Sequence, residues 1–210
     1  MKKMVCFGDS ITAREKAEDG RLRLTPRLRK EFPEWKVLNR GVPGNTTRDA
    51  SRRFEKDVLK ENPDLVTILF GANDSATHRL VPLNEYRKNL MHFTAEIGSG
   101  KVLLISPAPV VEKKQPNRSN ARLLEYRNAV MDTARKKGAA FLDLHMIMTE
   151  EDYGQFLVED GLHFNEKGYR FLSGLVSEAV INWQIDQYEQ DQANDRRFSG
   201  KLAGMLKSFF

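Results

Sequence analysis

Five apolar runs of strand length, at residues 3–7, 36–39, 64–70, 101–106 and 140–144, alternate with helix-like segments. Such alternation predicts a parallel sheet, because parallel neighbours need a crossover that a helix normally supplies. The two central runs, Leu65-Val66-Thr67-Ile68-Leu69-Phe70 and Val102-Leu103-Leu104-Ile105, are almost continuously apolar. Strands of that kind are covered by helices on both faces. The expected fold is therefore α/β, a three-layer α/β/α sandwich around a five-stranded parallel, flavodoxin-like sheet.

Helical spacing fills the intervals. Ala50, Phe54 and Val58 fall at i, i+4, i+8 behind the N-cap candidates Asn45 and Thr46, and Leu123, Val130 and Ala134 share one face of another helix. A third helix starts near Glu166, with Leu172, Leu175, Val176, Ala179 and Trp183 forming its apolar stripe. Residues 184–195 are polar and acidic, and Leu202, Met205, Leu206 and Phe209 then repeat at i, i+3, i+4, i+7. This divides the chain into a domain over residues 1–183 and a C-terminal extension over residues 184–210. The extension reads as a short amphipathic helix docking on the domain or on a second copy, a homodimer contact. Transient contact with a membrane surface is the weaker reading, because Lys201 and Lys207 are the only well-placed cations.

Composition removes several classes. Cys6 is the only cysteine of 210 residues, so neither an internal disulfide nor a cysteine-rich zinc site can form. The longest apolar stretches, at 64–72 and 101–111, are interrupted by polar residues and fall short of the roughly 20 residues that span a bilayer. Only four apolar residues follow Met1-Lys2-Lys3 before Gly8, against about 7–15 in a signal-peptide core, so a cytoplasmic location is expected. The formal charge of +5 is uneven, with +7 in the first 60 residues. On the predicted helices this charge, from Arg21, Arg23, Arg27, Arg29, Lys30, Arg48, Arg52, Arg53 and Lys56, reads as solvated surface.

Ligands of open parallel sheets bind beyond the carboxyl ends of the strands. After the first run stands Gly8-Asp9-Ser10-Ile11-Thr12, which sets a serine at a strand-to-helix turn, although such a triplet also serves as a plain turn or N-cap. Gly41-Val42-Pro43-Gly44-Asn45 follows the second run, and its glycines permit close backbone approach to a ligand. It is no phosphate-binding P-loop, since Asn45 stands where lysine would follow Gly44. After the third run, Gly71-Ala72-Asn73-Asp74 offers a neutral amide donor, either to a turn or to a developing oxyanion. Asp160-Gly161-Leu162-His163 precedes the last helix, and an acid three residues before a histidine can accept its Nδ1–H and leave Nε2 free as a base.

His78 and His92 lack an acid at useful spacing, and His145 is placed in the fifth strand beside Asp143. The acids and histidines show no paired metal-ligand spacing, so a mechanism without metal or cofactor is expected. Ser10, Asn73 and His163 are expected to need no basic partner.

Together the four blocks resemble the GDSL family of the SGNH hydrolase superfamily, over about residues 3–183. Stretches at 66–76, 81–86, 142–144 and 160–168 look most like its isoamyl-acetate-hydrolysing esterase branch. The resemblance implies a serine esterase acting on small to medium acyl esters, with Ser10 as nucleophile, His163 as base and Asp160 as its orienter. It also implies an oxyanion hole made by the Ser10 and Gly44 N–H groups and the Asn73 side chain. Pro43, where many relatives carry serine, and Ile11, in place of the eponymous leucine, depart from the pattern. The alternatives are a lipase, lysophospholipase or thioesterase for long acyl chains, then a carbohydrate deacetylase. The small-molecule partner is thus an ester or a lipid. A nucleotide or nucleic-acid binding module ranks last, because no phosphate fingerprint follows the first strand and no aromatic residues interleave with the basic ones.

Overall fold

The apolar runs become five parallel strands: β1 (Lys2–Gly8), β2 (Trp35–Gly41), β3 (Leu65–Leu69), β4 (Val102–Ile105) and β5 (Ala140–Leu142), ordered β2-β1-β3-β4-β5. The computed structural model describes the backbone of residues 1–207 and the side chains of residues 1–193. Alternate strand residues feed two separate cores, as the period of two requires. Met4, Cys6, Leu65, Leu69, Leu103 and Ile105 pack on one face with helices α1 (Leu24–Glu31) and α7 (Glu166–Lys207). Val5, Phe7, Val66, Ile68, Val102 and Leu104 pack on the other with Ala50, Phe54 and Val58 and with helices α4 (Leu83–Ile97) and α5 (Asn120–Lys137). Each fully buried large side chain contributes about 1.5–3 kcal/mol relative to exposure, which accounts for the sandwich expected from the sequence.

Two expectations need correction. The helix predicted through Ala50, Phe54 and Val58 is two short helices, α2 (Thr47–Ser51) and α3 (Phe54–Asp57). Thr46 caps α2 in a capping box with Asp49, whereas Asn45 stays in the preceding loop. The break falls at Arg53, whose guanidinium turns inward to donate to the Gly8 carbonyl (3.0 Å), the Arg40 carbonyl (2.8 Å) and Asn45 Oδ1 (2.7 Å). The fifth strand ends at Leu142 because Asp143 caps helix α6 (Leu144–Thr149), accepting from the Met146 N–H. His145 therefore lies on a helix, buried, with Nδ1 3.3 Å from the Pro107 carbonyl.

The C-terminal helix is long. Trp183 anchors α7, donating to the Gly100 carbonyl at 2.7 Å and meeting Trp35 edge-on. Past it the helix continues without a break, and Ile185 and Tyr188 stand exposed on it. The stripe read at Leu202, Met205, Leu206 and Phe209 lies outside the described side chains. Among the described residues, no helix is long and apolar enough to cross a membrane.

The strand order reverses direction between β2-β1 and β3-β4-β5, so the crevice beyond the carboxyl ends of β1 and β3 is the topological switch point. Gly8, Gly41 and Leu69 lie level there in the register. The chain after β1 then runs so close to β2 that a Cβ on Gly41 would stand 2.3 Å from the Ala13 backbone nitrogen.

Candidate active site

Ser10 sits in a turn fixed from several sides. The Ala13 N–H donates to the Asp9 carbonyl at 2.9 Å, and the Asp9 side chain accepts from the Ile11 N–H, also at 2.9 Å. Arg23 donates to the Ser10 carbonyl and to the Tyr169 hydroxyl, which itself donates to the Ile11 carbonyl at 3.0 Å. With its carbonyls held, the turn projects the Ser10 hydroxyl toward His163. Ser10 Oγ and His163 Nε2 are 2.8 Å apart although 153 residues separate them in sequence.

The histidine belongs to a small hydrogen-bonded loop. Asp160 Oδ1 accepts from the Leu162 and His163 N–H groups at 2.8 and 2.9 Å, leaving Oδ2 to meet His163 Nδ1 at 2.5 Å. A proton on Nδ1 toward Asp160 makes Nε2 the acceptor for the Ser10 hydroxyl. Partial burial pushes the Asp160 carboxyl up, but the bonds from the His163 side chain and from the two amides outweigh it and hold the pKa below the usual value. The side chains of Asp160 and His163 are 41 % and 37 % exposed, so the site is an open rim.

On the other side of Ser10, the turn at Val42–Asn45 hangs from β1: the Val42 N–H donates to the Gly8 carbonyl at 3.1 Å, and the Asn45 N–H closes the turn on the Val42 carbonyl at 3.2 Å. Gly44 holds φ +76°, a region that L side chains rarely adopt, and the Arg79 guanidinium occupies the space a Cβ would need. Among the described residues, neither the Ser10 nor the Gly44 N–H donates a hydrogen bond. Asn73 is buried; its Nδ2 donates to the Asn45 carbonyl at 3.1 Å and lies 3.4 Å from Asp9 Oδ2, while its Oδ1 accepts from Arg118 Nη2 at 3.1 Å. The structure thus gathers all five residues singled out in the sequence, Ser10, Gly44, Asn73, Asp160 and His163, at the carboxyl ends of the strands.

It also brings in residues the sequence did not mark. Asp9 and Asp74 are buried, and desolvation pushes their carboxyls up to about 6 and about 7. Hydrogen bonds from the Ile11 N–H to Asp9 and from Thr47 to Asp74 offset part of this. Although no basic partner was expected to be needed, two arginines stand at the site, Arg118 at Asn73 and Arg23 at Ser10. The reading of the N-terminal charge as solvated surface changes with it. Arg52 is 76 % exposed, yet Arg53 reaches the strand ends, Arg27 pairs with Glu166 at 2.6 Å and Arg29 donates to the Val37 carbonyl at 2.9 Å. No spacing rule could have found Arg118, whose partner Asn73 is 45 residues away. Among the described residues, no three His, Cys, Asp or Glu side chains gather as a metal-ligand set.

Comparison with known proteins gives the same direction. The GDSL-like Lipase/Acylhydrolase family matches residues 6–171. An isoamyl acetate-hydrolyzing esterase 1 homolog from Homo sapiens is 35% identical over 196 residues, covering 81% of this chain and 77% of that protein. An acetylxylan esterase from Geobacillus stearothermophilus is 28% identical over 173 residues, covering 74% and 78%. Among solved structures, the lipase/acylhydrolase from Enterococcus faecalis superposes with a TM-score of 0.81 at 35% identity, covering 86% of this chain and 95% of that one.

Proposed function

Because the chain belongs to the GDSL-like lipase/acylhydrolase family and is a carboxylic ester hydrolase, we propose that it cleaves esters of small to medium acyl groups through Ser10, His163 and Asp160. The contact of 2.8 Å between Ser10 Oγ and His163 Nε2 carries this reading. His163 takes the hydroxyl proton as Ser10 attacks the ester carbonyl. The resulting imidazolium is stabilised by Asp160, and the oxyanion by the Ser10 and Gly44 N–H groups and Asn73 Nδ2. His163 then protonates the leaving alcohol, and water repeats the sequence on the acyl-enzyme to release the acid.

The similarity to the isoamyl acetate-hydrolyzing esterase homolog supports short acyl groups. So does the open rim, with the Asp160 and His163 side chains part exposed and Val42 exposed in the turn before Gly44. The acetylxylan esterase relative favours a second reading, removal of acetyl groups from a carbohydrate. The two share the acyl group and differ in the alcohol.

The test is hydrolysis of p-nitrophenyl esters from acetate to dodecanoate by wild type and Ser10→Ala, with isoamyl acetate and an acetylated xylooligosaccharide compared as alcohols. Short esters should be preferred and Ser10→Ala should be inactive while folded. A fluorophosphonate should label Ser10 and no other residue. Undiminished turnover in Ser10→Ala removes the proposal, and a rise in rate toward dodecanoate replaces it with a long-chain lipase.

A further inference from the structure

The two halves of the site arrive on distant segments: Asn73 follows β3, and the Asp160–His163 loop follows α6. Among the described residues, no hydrogen bond joins residues 71–76 directly to residues 158–165. What joins them is the loop after β4. Arg118 donates from Nε to the Ala72 carbonyl at 2.7 Å, from Nη2 to Asn73 Oδ1 at 3.1 Å and from Nη1 to Gln115 Oε1 at 2.6 Å. Gln115 in turn donates from Nε2 to the Asp160 carbonyl at 2.8 Å. The backbone reinforces the chain of contacts, since the Arg118 N–H bonds the Gln115 carbonyl and the Val111 N–H bonds the Gly161 carbonyl, both at 2.9 Å.

We propose that Gln115 and Arg118 are positioning residues, a strap that orients the Asn73 amide for the oxyanion and ties it to the loop carrying Asp160. The inference rests on the esterase reading of this site. A guanidinium only donates, so it accepts one orientation of the amide, with Oδ1 facing Arg118. Rotating the amide by half a turn would set its NH2 against the guanidinium. It would also set Oδ1 against the Asn45 carbonyl and the Asp9 carboxyl group, which now lie on the Nδ2 side. Arg118 thereby fixes Nδ2 as the donor side of the amide, where one N–H is held by the Asn45 carbonyl at 3.1 Å and the other only weakly by Asp9 Oδ2 at 3.4 Å. The weakly held N–H is the one a developing oxyanion would take, and a donor kept in that orientation stabilises the transition state more than the bound ester.

A double-mutant cycle on the full chain tests the strap. Arg118→Met is expected to lower kcat on p-nitrophenyl acetate by about 30-fold with KM changed less than about threefold, because the amide is lost from the transition state alone. Arg118→Lys, which keeps a donor, should recover part of the rate. Asn73→Ala combined with Arg118→Met should be no slower than Asn73→Ala by more than about threefold, since both remove one function. Gln115→Leu leaves every bond of Arg118 to Ala72 and Asn73 in place and serves if Arg118→Met fails to fold; it should slow turnover by about threefold. Rates in folded Arg118→Met within about twofold of wild type, or losses that multiply in the double variant, overturn the role of Arg118. Unaltered turnover in Gln115→Leu overturns the tie to Asp160. Ser10→Ala in the same assay separates the two levels: if it stays active the esterase reading itself fails, and if it is dead beside an unaffected Arg118→Met only the strap does.

Discussion

The carboxylates on the two sides of Ser10 are treated in opposite ways. Asp160 stands on an exposed loop, takes three hydrogen bonds and is held below its usual pKa. Asp9 and Asp74, on the Asn73 side, lie in the interior, where burial pushes them up to about 6 and about 7. In the proposed mechanism the acid that must stay charged to stabilise an imidazolium is thus kept wet, with both oxygens bonded. Those beneath the oxyanion side are kept dry, and one oxygen of Asp74 has no partner among the described residues. One side of the site is tuned by solvent and local hydrogen bonds, the other by packing.

The largest effects should come from the residues where the two sides meet. Ser10→Ala and His163→Ala should each lower kcat by about 10³–10⁴-fold or more, because the remaining members act as a unit and cannot replace either. Asn73→Ala, which removes a buried donor that water does not readily replace, should cost about 10²–10³-fold. Asp160→Ala should cost less, about 10–10²-fold, because the exposed position admits water to accept the Nδ1–H. Steady-state kinetics on p-nitrophenyl acetate ranks all four. If Asp160→Ala proves worse than Asn73→Ala, the contrast between a solvent-tuned side and a packed side is wrong.

The sheet was legible because Val, Leu and Ile runs state their own burial. The Asp160–His163 pair was legible because both partners lie within one turn of chain. Residues whose role depends on side-chain direction were not. Arg53 and Arg118 look in sequence like the solvated Arg52, yet Arg53, at the break between α2 and α3, reaches the Gly8 carbonyl, and Arg118 finds Asn73 across the sheet rim. Asp143 was read as the continuation of an apolar run, and only the structure shows its carboxylate capping α6 and meeting Arg127 at 3.0 Å. Local spacing reports period and neighbours, but a long polar side chain chooses its partner in three dimensions.

The smallest predicted effect probes the buried side through pH. Native Asp74 keeps its proton up to about 7, whereas the unfolded chain releases it near the ordinary aspartate value of 3.8. Between those values the native state binds more protons, so this group makes folding less favourable as pH rises, the reverse of a salt-bridged acid. From pH 6 to 8 a native pKa of about 7 corresponds to a loss of about 1 kcal/mol. Asp74→Asn keeps the Oδ1 acceptor for the Thr47 N–H and hydroxyl but cannot ionise. Its denaturant midpoint should therefore gain on wild type over that pH interval, even if an unpartnered amide N–H lowers its stability at pH 6. Parallel stability curves for the two proteins would mean that Asp74 ionises as freely in the native chain as in water, and the packed side would lose the feature that sets it apart from Asp160.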